Sequence, residues 1–187
     1  MDIFGLRAKT ADKFIKKRGQ NPVGEKKSPP ERIRSIGVVA DLDLFRIYDF
    51  TGKLIEDFGL APNQVQLVLM DPSGRVRDSL EAPESFDQES FGLYGKIKNP
   101  ALDEFLNREF DLLINYSSTE WIFTKVVLIR SQARLKAGFD SEKGDWQDIS
   151  IKVPANDIDT FHKELVKYLK IMNLIPDSQK DNSKSKL

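Results

Sequence analysis

The sequence contains no cysteine and only one histidine, His162. Without cysteine, the protein can form no disulfide bond, no thiolate nucleophile and no cysteine-ligated metal site. A zinc cluster or a Ser-His-Asp triad would have to be built around His162 alone. This histidine lies next to the apolar stripe of the last predicted helix rather than in it, so we expect it to be exposed. We predict no metal site and no bound cofactor.

Long apolar runs and the common phosphate-binding motifs are also missing. No apolar stretch approaches the roughly 18 residues that span a bilayer, and Asp2, Arg7 and Lys9 interrupt the first one. This predicts a cytoplasmic protein with no transmembrane segment, and it leaves peripheral binding to a membrane open. Neither Gly-x-Gly-x-x-Gly nor Gly-x-x-x-x-Gly-Lys-Ser/Thr occurs. The nearest approach, Gly92-Leu-Tyr-Gly95-Lys96, is expected to be a turn.

The residues that are present suffice for one folded domain. Hydrophobic residues make up 40% of the 187, enough for a full core. The net charge is zero but unevenly spread, because residues 1–34 hold ten basic and four acidic groups and so carry +6, which leaves −6 on the rest. Such a split predicts an arm that can meet an anionic surface while the acidic body is repelled by it.

The arm itself fits an amphipathic helix over residues 2–18, with apolar residues at helical spacing on one face and lysines on the other. Residues 19–30, rich in Gly, Pro, Lys and Ser, are typical of a linker. We therefore expect residues 1–30 to be a basic arm and linker that folding does not require. Its role stays open among docking on its own domain, binding a protein partner and lying on an anionic membrane. The residues proposed for contact are Phe4, Lys9, Lys13, Phe14, Ile15, Lys16 and Lys17.

From residue 31 to residue 175, short apolar runs alternate with amphipathic stretches. The runs predict strands at 35–41, 65–70, 92–97, 110–116, 133–139 and 148–153. Helices are predicted at about 41–58, from Pro100, after a cap at Ser117, Ser118 or Thr119, and from about Asp157. For 41–58 a hairpin turning at 51–52 is the competing prediction, because Gly52 weakens the helix.

This alternation predicts a three-layer, Rossmann-like open sheet of about five or six mostly parallel strands with right-handed crossovers. The fold class is thus α/β, with an N-terminal amphipathic helix, a domain at 31–175 and a disordered polar tail at 176–187. Leu113 and Ile114 should be buried mid-strand. The last helix should present an inward stripe of Phe161, Leu165, Tyr168, Leu169 and Met172.

Two carboxylates, Asp41 and Asp43, follow the first strand directly, where open α/β sheets place their ligands. They resemble the carboxylate pair of haloacid-dehalogenase-like enzymes, which serves as nucleophile and general acid with magnesium. That resemblance implies further roles for a Ser or Thr, a Lys and an acidic group, for which the candidates are Ser117 or Ser118, Lys136 and Asp140. Helix capping by Asp41 or Asp43 is the favoured role.

Several segments between Ser35 and Asn173 resemble an uncharacterised family of small bacterial proteins known only as a domain of unknown function. The matching segments are Ser35-Ile-Gly37, Phe110-Asp-Leu-Leu-Ile-Asn115, Ser131-x-Ala-x-x-Lys-x-Gly138 and the helix 161–171. A weaker similarity, carried by 110–115 and 134–139, is to the N-terminal Rossmann-like half of heptosyltransferase-like glycosyltransferases. The first resemblance implies no activity, and the second implies a fold.

The leading hypothesis is a non-catalytic cytoplasmic module whose basic arm or sheet-edge cleft binds a partner or ligand. The alternative is a glycosyltransferase-like or haloacid-dehalogenase-like enzyme using Asp41 and Asp43, with Asn115 as a further candidate at the strand ends. Trp121 and Trp146 lack the basic, aromatic-rich surroundings of a nucleic-acid platform, so no specific nucleic-acid binding is expected.

Overall fold

The computed structural model describes residues 3–20, 27–74, 85–117, 120–140, 146–154 and 157–176. Most of the predicted polar tail, part of the predicted linker and the candidate Ser118 lie outside these ranges. The described helices are α1 (Ile3–Gln20), α2 (Leu42–Phe45), α3 (Phe50–Phe58), α4 (Pro100–Asn107), α5 (Ile122–Arg130) and α6 (Ile158–Ile171). The described strands are β1 (Ile36–Asp41), β2 (Val65–Met70), β3 (Ser85–Phe86), β4 (Leu112–Asn115), β5 (Leu135–Phe139) and β6 (Ile149–Ile151).

These strands form one sheet in the order β3-β2-β1-β4-β5-β6, and every neighbouring pair is parallel. This is the Rossmann strand order, with the chain moving outward in one direction from β1 and in the other from β4. The predicted Rossmann-like α/β fold is therefore confirmed.

Helices cover both faces of the sheet, as a parallel sheet requires. One face packs against α2, α3 and α6, through residues such as Phe50, Leu54 and Phe161. The other packs against α1, α4 and α5, through residues such as Phe105 and Val127. Leu113 and Ile114, on opposite faces of β4, are both fully buried, as predicted.

At the start of β1, Gly37 permits close packing across the sheet. A Cβ at this position would lie 2.8 Å from the ring of Phe110, closer than real contacts allow. Glycine therefore lets the aromatic ring before β4 rest directly on the neighbouring strand.

Two predicted elements differ from the structure. The helix expected at 41–58 is two helices, α2 and α3, and Asp49 caps the second by accepting a hydrogen bond from the Gly52 backbone N–H at 2.8 Å. The strand expected at 92–97 is wrong. That segment is a tight loop closed by a single antiparallel bridge between Phe91 and Ile97, with Tyr94 in the left-handed region at φ 56°. The third strand is instead β3, in a polar segment without a strand pattern.

Helix α6 begins after Asp157, whose carboxylate accepts from the Thr160 backbone N–H at 3.1 Å. Its buried stripe includes Phe161, Leu165 and Leu169 as predicted, but Tyr168 and Met172 are exposed. The expectation of an exposed histidine is also wrong, because only 4% of His162 is exposed. The buried face of α6 therefore includes His162 and leaves out Tyr168 and Met172.

Helix α1 lies against the domain. Ala11 and Ile15 are buried in the same core as α4 and α5, and the ring of Phe14 packs beside Gly95. Of the three roles open for the arm, docking on its own domain is therefore observed. These contacts do not support the expectation that folding can dispense with residues 1–30.

Candidate functional site

The carboxyl ends of β1 and β4 meet where the strand order reverses. In open α/β sheets this switch point leaves a crevice, because the connections after the two strands lead to opposite sides. Three buried polar side chains lie here, from Asp41, Asn115 and Ser117. Two of them, Asp41 and Asn115, are residues that the sequence singled out as candidates, and Ser117 was considered as a supporting group.

A short hydrogen bond joins the two strand ends. The Ser117 hydroxyl donates to the Asp41 carboxylate at 2.6 Å, between residues 76 positions apart. The amide oxygen of Asn115 accepts from the Ser117 backbone N–H at 3.1 Å, which fixes the turn that carries the hydroxyl. Polar groups so buried need partners of this kind, because an unpaired one would cost about 1–3 kcal/mol.

The structure corrects the expected capping roles. Asp41 occupies the N-cap position of α2 through its backbone, but its side chain makes no capping hydrogen bond. Asp43 lies in the first turn of α2 and is exposed. Ser117 does not cap α5, which begins after Trp121. The predicted N-cap position is thus correct for Asp41, but its carboxylate does not supply the capping hydrogen bond.

Two further buried carboxylates lie at the same edge of the sheet. Asp71 directly follows β2 and Asp87 directly follows β3. The Ser73 hydroxyl donates to Asp71 at 2.8 Å, and Asp87 accepts from the backbone N–H of Glu89 at 2.7 Å. The sequence analysis proposed neither residue as a site candidate, and β3, which Asp87 follows, was not predicted. Their positions immediately after strands were the available signal.

Other candidate residues lie elsewhere. Lys136 is in the middle of β5, where its ammonium group donates to the Leu128 carbonyl of α5 at 2.6 Å. Burial lowers the pKa of Lys136 from its ordinary value. Asp140 follows β5 and is exposed. The lysine candidate of the haloacid-dehalogenase-like hypothesis is therefore hydrogen-bonded to a carbonyl of α5.

A second polar cluster lies on the face of the sheet that α3 and α6 cover, at the end of β4. The Tyr116 hydroxyl is 2.6 Å from His162 Nδ1, and His162 Nε2 is 2.7 Å from a carboxylate oxygen of Asp57. Tyr116 is fully buried, and burial raises its pKa well above the ordinary value, so it stays a neutral phenol.

One placement of the protons satisfies every group in this chain of hydrogen bonds, with the phenol donating to Nδ1 and Nε2–H donating to the Asp57 carboxylate. Because Tyr116 and His162 are buried, the cluster couples β4 to two helices rather than facing a substrate. Sequence reasoning missed it, since Asp57 and His162 are 105 positions apart and each lies on a separate helix.

Within the described ranges, no three His, Asp or Glu side chains lie close enough together to hold a metal ion. None of the described helices is both long and apolar enough to cross a membrane.

The chain was compared with family models, curated proteins and solved structures. No curated protein and no solved structure matches it. One family model does, over residues 7–172, a range that includes α1 from Arg7 onward and all six strands. The chain therefore belongs to a family of unknown function, DUF6913.

Proposed function

We propose that this protein is a non-catalytic cytoplasmic α/β module that binds a small polar ligand in the crevice between β1 and β4. The observation that carries the proposal is the Ser117–Asp41 hydrogen bond across the switch point, where this strand order places its ligands.

The chemistry of the crevice favours a ligand that donates hydrogen bonds. Asp41, Asp71 and Asp87 all stand at the carboxyl edge of the sheet, so an anionic ligand would meet like charge. The β1–α2 connection, Asp41-Leu42-Asp43, also lacks the glycines that let a backbone approach phosphate. A polyol or an amine fits this edge better than a nucleotide does.

One observation favours the alternative of an Asp41-dependent enzyme. The Ser117 hydroxyl beside Asp41 matches one of the supporting groups that a haloacid-dehalogenase-like mechanism requires. Against it, Lys136 is bound to the Leu128 carbonyl, and Asp43 and Asp140 are exposed. Only one supporting group accompanies the carboxylate, which is why binding without catalysis is the preferred function.

A thermal-shift experiment tests the binding proposal. The full chain is melted with a monosaccharide, a polyamine and a nucleoside as separate probes, and bound ligand raises the melting temperature by mass action. We expect a donor-rich probe to stabilise the wild type and Asp43→Asn, but not Asp41→Asn. Asp43→Asn is a matched control, since the same change is made two residues away at an exposed position.

Two outcomes contradict the proposal. Equal shifts in the three proteins would place binding elsewhere, and no shift with any probe class would remove the support for a polyol or amine ligand. Separately, hydrolysis of a generic phosphate ester with magnesium, abolished in Asp41→Asn while the melting temperature is kept, would establish the enzyme instead.

A further inference from the structure

The docking of α1 leaves large apolar side chains exposed at one end of the helix. Ile3 is 56% exposed and Phe4 is 42% exposed, whereas Ala11 and Ile15 on the same helix are buried. The loop beside α1 adds Leu93 and Tyr94, which are 46% and 57% exposed. Such side chains are normal singly, but grouped ones indicate an interaction site.

These exposed side chains belong to one side of the molecule. The Thr10 hydroxyl oxygen of α1 accepts a hydrogen bond from the Tyr94 backbone N–H at 3.0 Å, which fixes the loop against the helix. Ile3 precedes Thr10 by two helical turns, roughly 10 Å along the axis, and lies on the same face. The two apolar groups therefore lie on the same side of α1, roughly 10 Å apart along its axis.

Positive charge surrounds this surface. Lys13 and Lys17 follow Thr10 at the i+3 and i+7 positions, so they share the face that meets Tyr94, and both are exposed. The acidic residue of the helix, Asp12, is neutralised by Lys16 at 2.6 Å.

Two guanidinium groups add to the charge near the far end of α1. Arg18 and Arg130 lie over the ring of Phe14, at 5.8 and 4.7 Å from its centroid. Burial and the neighbouring Arg18 lower the pKa of Arg130, as expected where cations gather.

We propose that this surface, made of Ile3, Phe4, Lys13, Lys17, Leu93 and Tyr94, docks on the anionic face of a lipid bilayer. Its apolar side chains project from a helix end and a loop tip, which suits shallow insertion between headgroups. Lysines beside them attract anionic lipid, and tyrosine favours the membrane interface. The −6 charge of residues 35–187 turns the rest of the protein away from the same surface.

Co-sedimentation of the full chain with lipid vesicles tests this proposal. Phosphatidylcholine vesicles with and without phosphatidylglycerol are compared at low and high salt. We expect binding that requires the anionic lipid and is lost at high salt, because exposed charges are screened. Absence of sedimentation with anionic vesicles would overturn the proposal, as would binding that ignores lipid charge, and a protein partner would then be the better occupant.

Charge-reversal variants locate the surface. Lys13→Glu/Lys17→Glu should weaken binding about tenfold or more, since each lysine contributes separately near an anionic surface. Lys152→Glu/Lys163→Glu is the matched control, with the same net charge but with exposed sites on β6's loop and on α6. Equal weakening in both variants would sink the assignment. An Ile3→Ser/Leu93→Ser variant, which keeps the net charge, should also lose binding, and unchanged melting temperatures confirm that each variant is folded.

Discussion

At the scale of single residues, His162 shows how a buried imidazole is accommodated in this core. A histidine taken out of water loses the hydrogen bonds of both ring nitrogens, and each must be replaced. Tyr116 and Asp57 supply the replacements at 2.6 and 2.7 Å. The end of β4 is thereby tied to α3 and α6, close to the backbone of Asn115 and Ser117 that forms the candidate site.

This arrangement predicts unequal effects for two similar substitutions. Tyr116→Phe removes the hydrogen-bond partner of His162 Nδ1 and leaves that nitrogen buried and unpaired, at a cost of about 1–3 kcal/mol. Tyr48→Phe is the control, because Tyr48 is only half-buried and makes no contact with the His162 ring nitrogens, and its charged neighbour Lys53, 4.7 Å from the ring centroid, is half-exposed. Loss of the Tyr48 hydroxyl should change stability by no more than about 0.5 kcal/mol. Urea denaturation of both variants measures the difference, and equal losses would show that the hydrogen bond to His162 is unimportant.

At the scale of secondary-structure elements, α1 has a buried part and an exposed part. Its middle turns are part of the core through Ala11 and Ile15, whereas Ile3 and Phe4 in its first turn are exposed. The apolar stripe that the sequence shows is therefore divided between the buried core and an exposed surface. Helical periodicity predicts the stripe, but the length of it that the domain covers depends on tertiary contacts.

Two Ile→Ala substitutions on α1 distinguish its buried part from its exposed part. Ile15→Ala deletes a buried side chain and should lower the free energy of unfolding by about 2–5 kcal/mol. Ile3→Ala changes an exposed side chain and should cost no more than about 0.5 kcal/mol. Thermal or urea melting of the full chain tests the pair. If Ile15→Ala melts like the wild type, α1 is not packed on the domain in solution.

The elements also show why sequence reasoning succeeds in some places and fails in others. The runs at 36–41 and 65–70 are apolar, four residues or longer and bounded by turn residues, and both were predicted as strands. A strand of two residues such as Ser85–Phe86 carries no pattern, so it could not be predicted. The 92–97 segment contains apolar residues, as a strand would. It nevertheless forms a loop, which the bridge between Phe91 and Ile97 closes.

At the scale of the whole molecule, the alternation of strands and helices predicts the fold class, and the preference for right-handed crossovers restricts the strand order. The candidate site is less predictable. Position at the end of a strand points to Asp41 and Asn115, but the bond between Asp41 and Ser117 depends on β1 and β4 being neighbours. The buried Tyr116–His162–Asp57 chain depends in the same way on which helices cover one face of the sheet.

The strand order makes β4 a central strand, and this has a measurable consequence. Leu113 is fully buried. It lies between β1 and β5, on the face of the sheet that α1, α4 and α5 cover. Leu113→Ala should therefore lower the free energy of unfolding by about 2–5 kcal/mol, through lost burial and the cavity left behind. Leu93→Ala, at a half-exposed loop position, is the control and should have little effect. Denaturant melts of the two variants decide the matter, and a loss well below about 1 kcal/mol for Leu113→Ala would mean that β4 does not occupy the centre of the sheet.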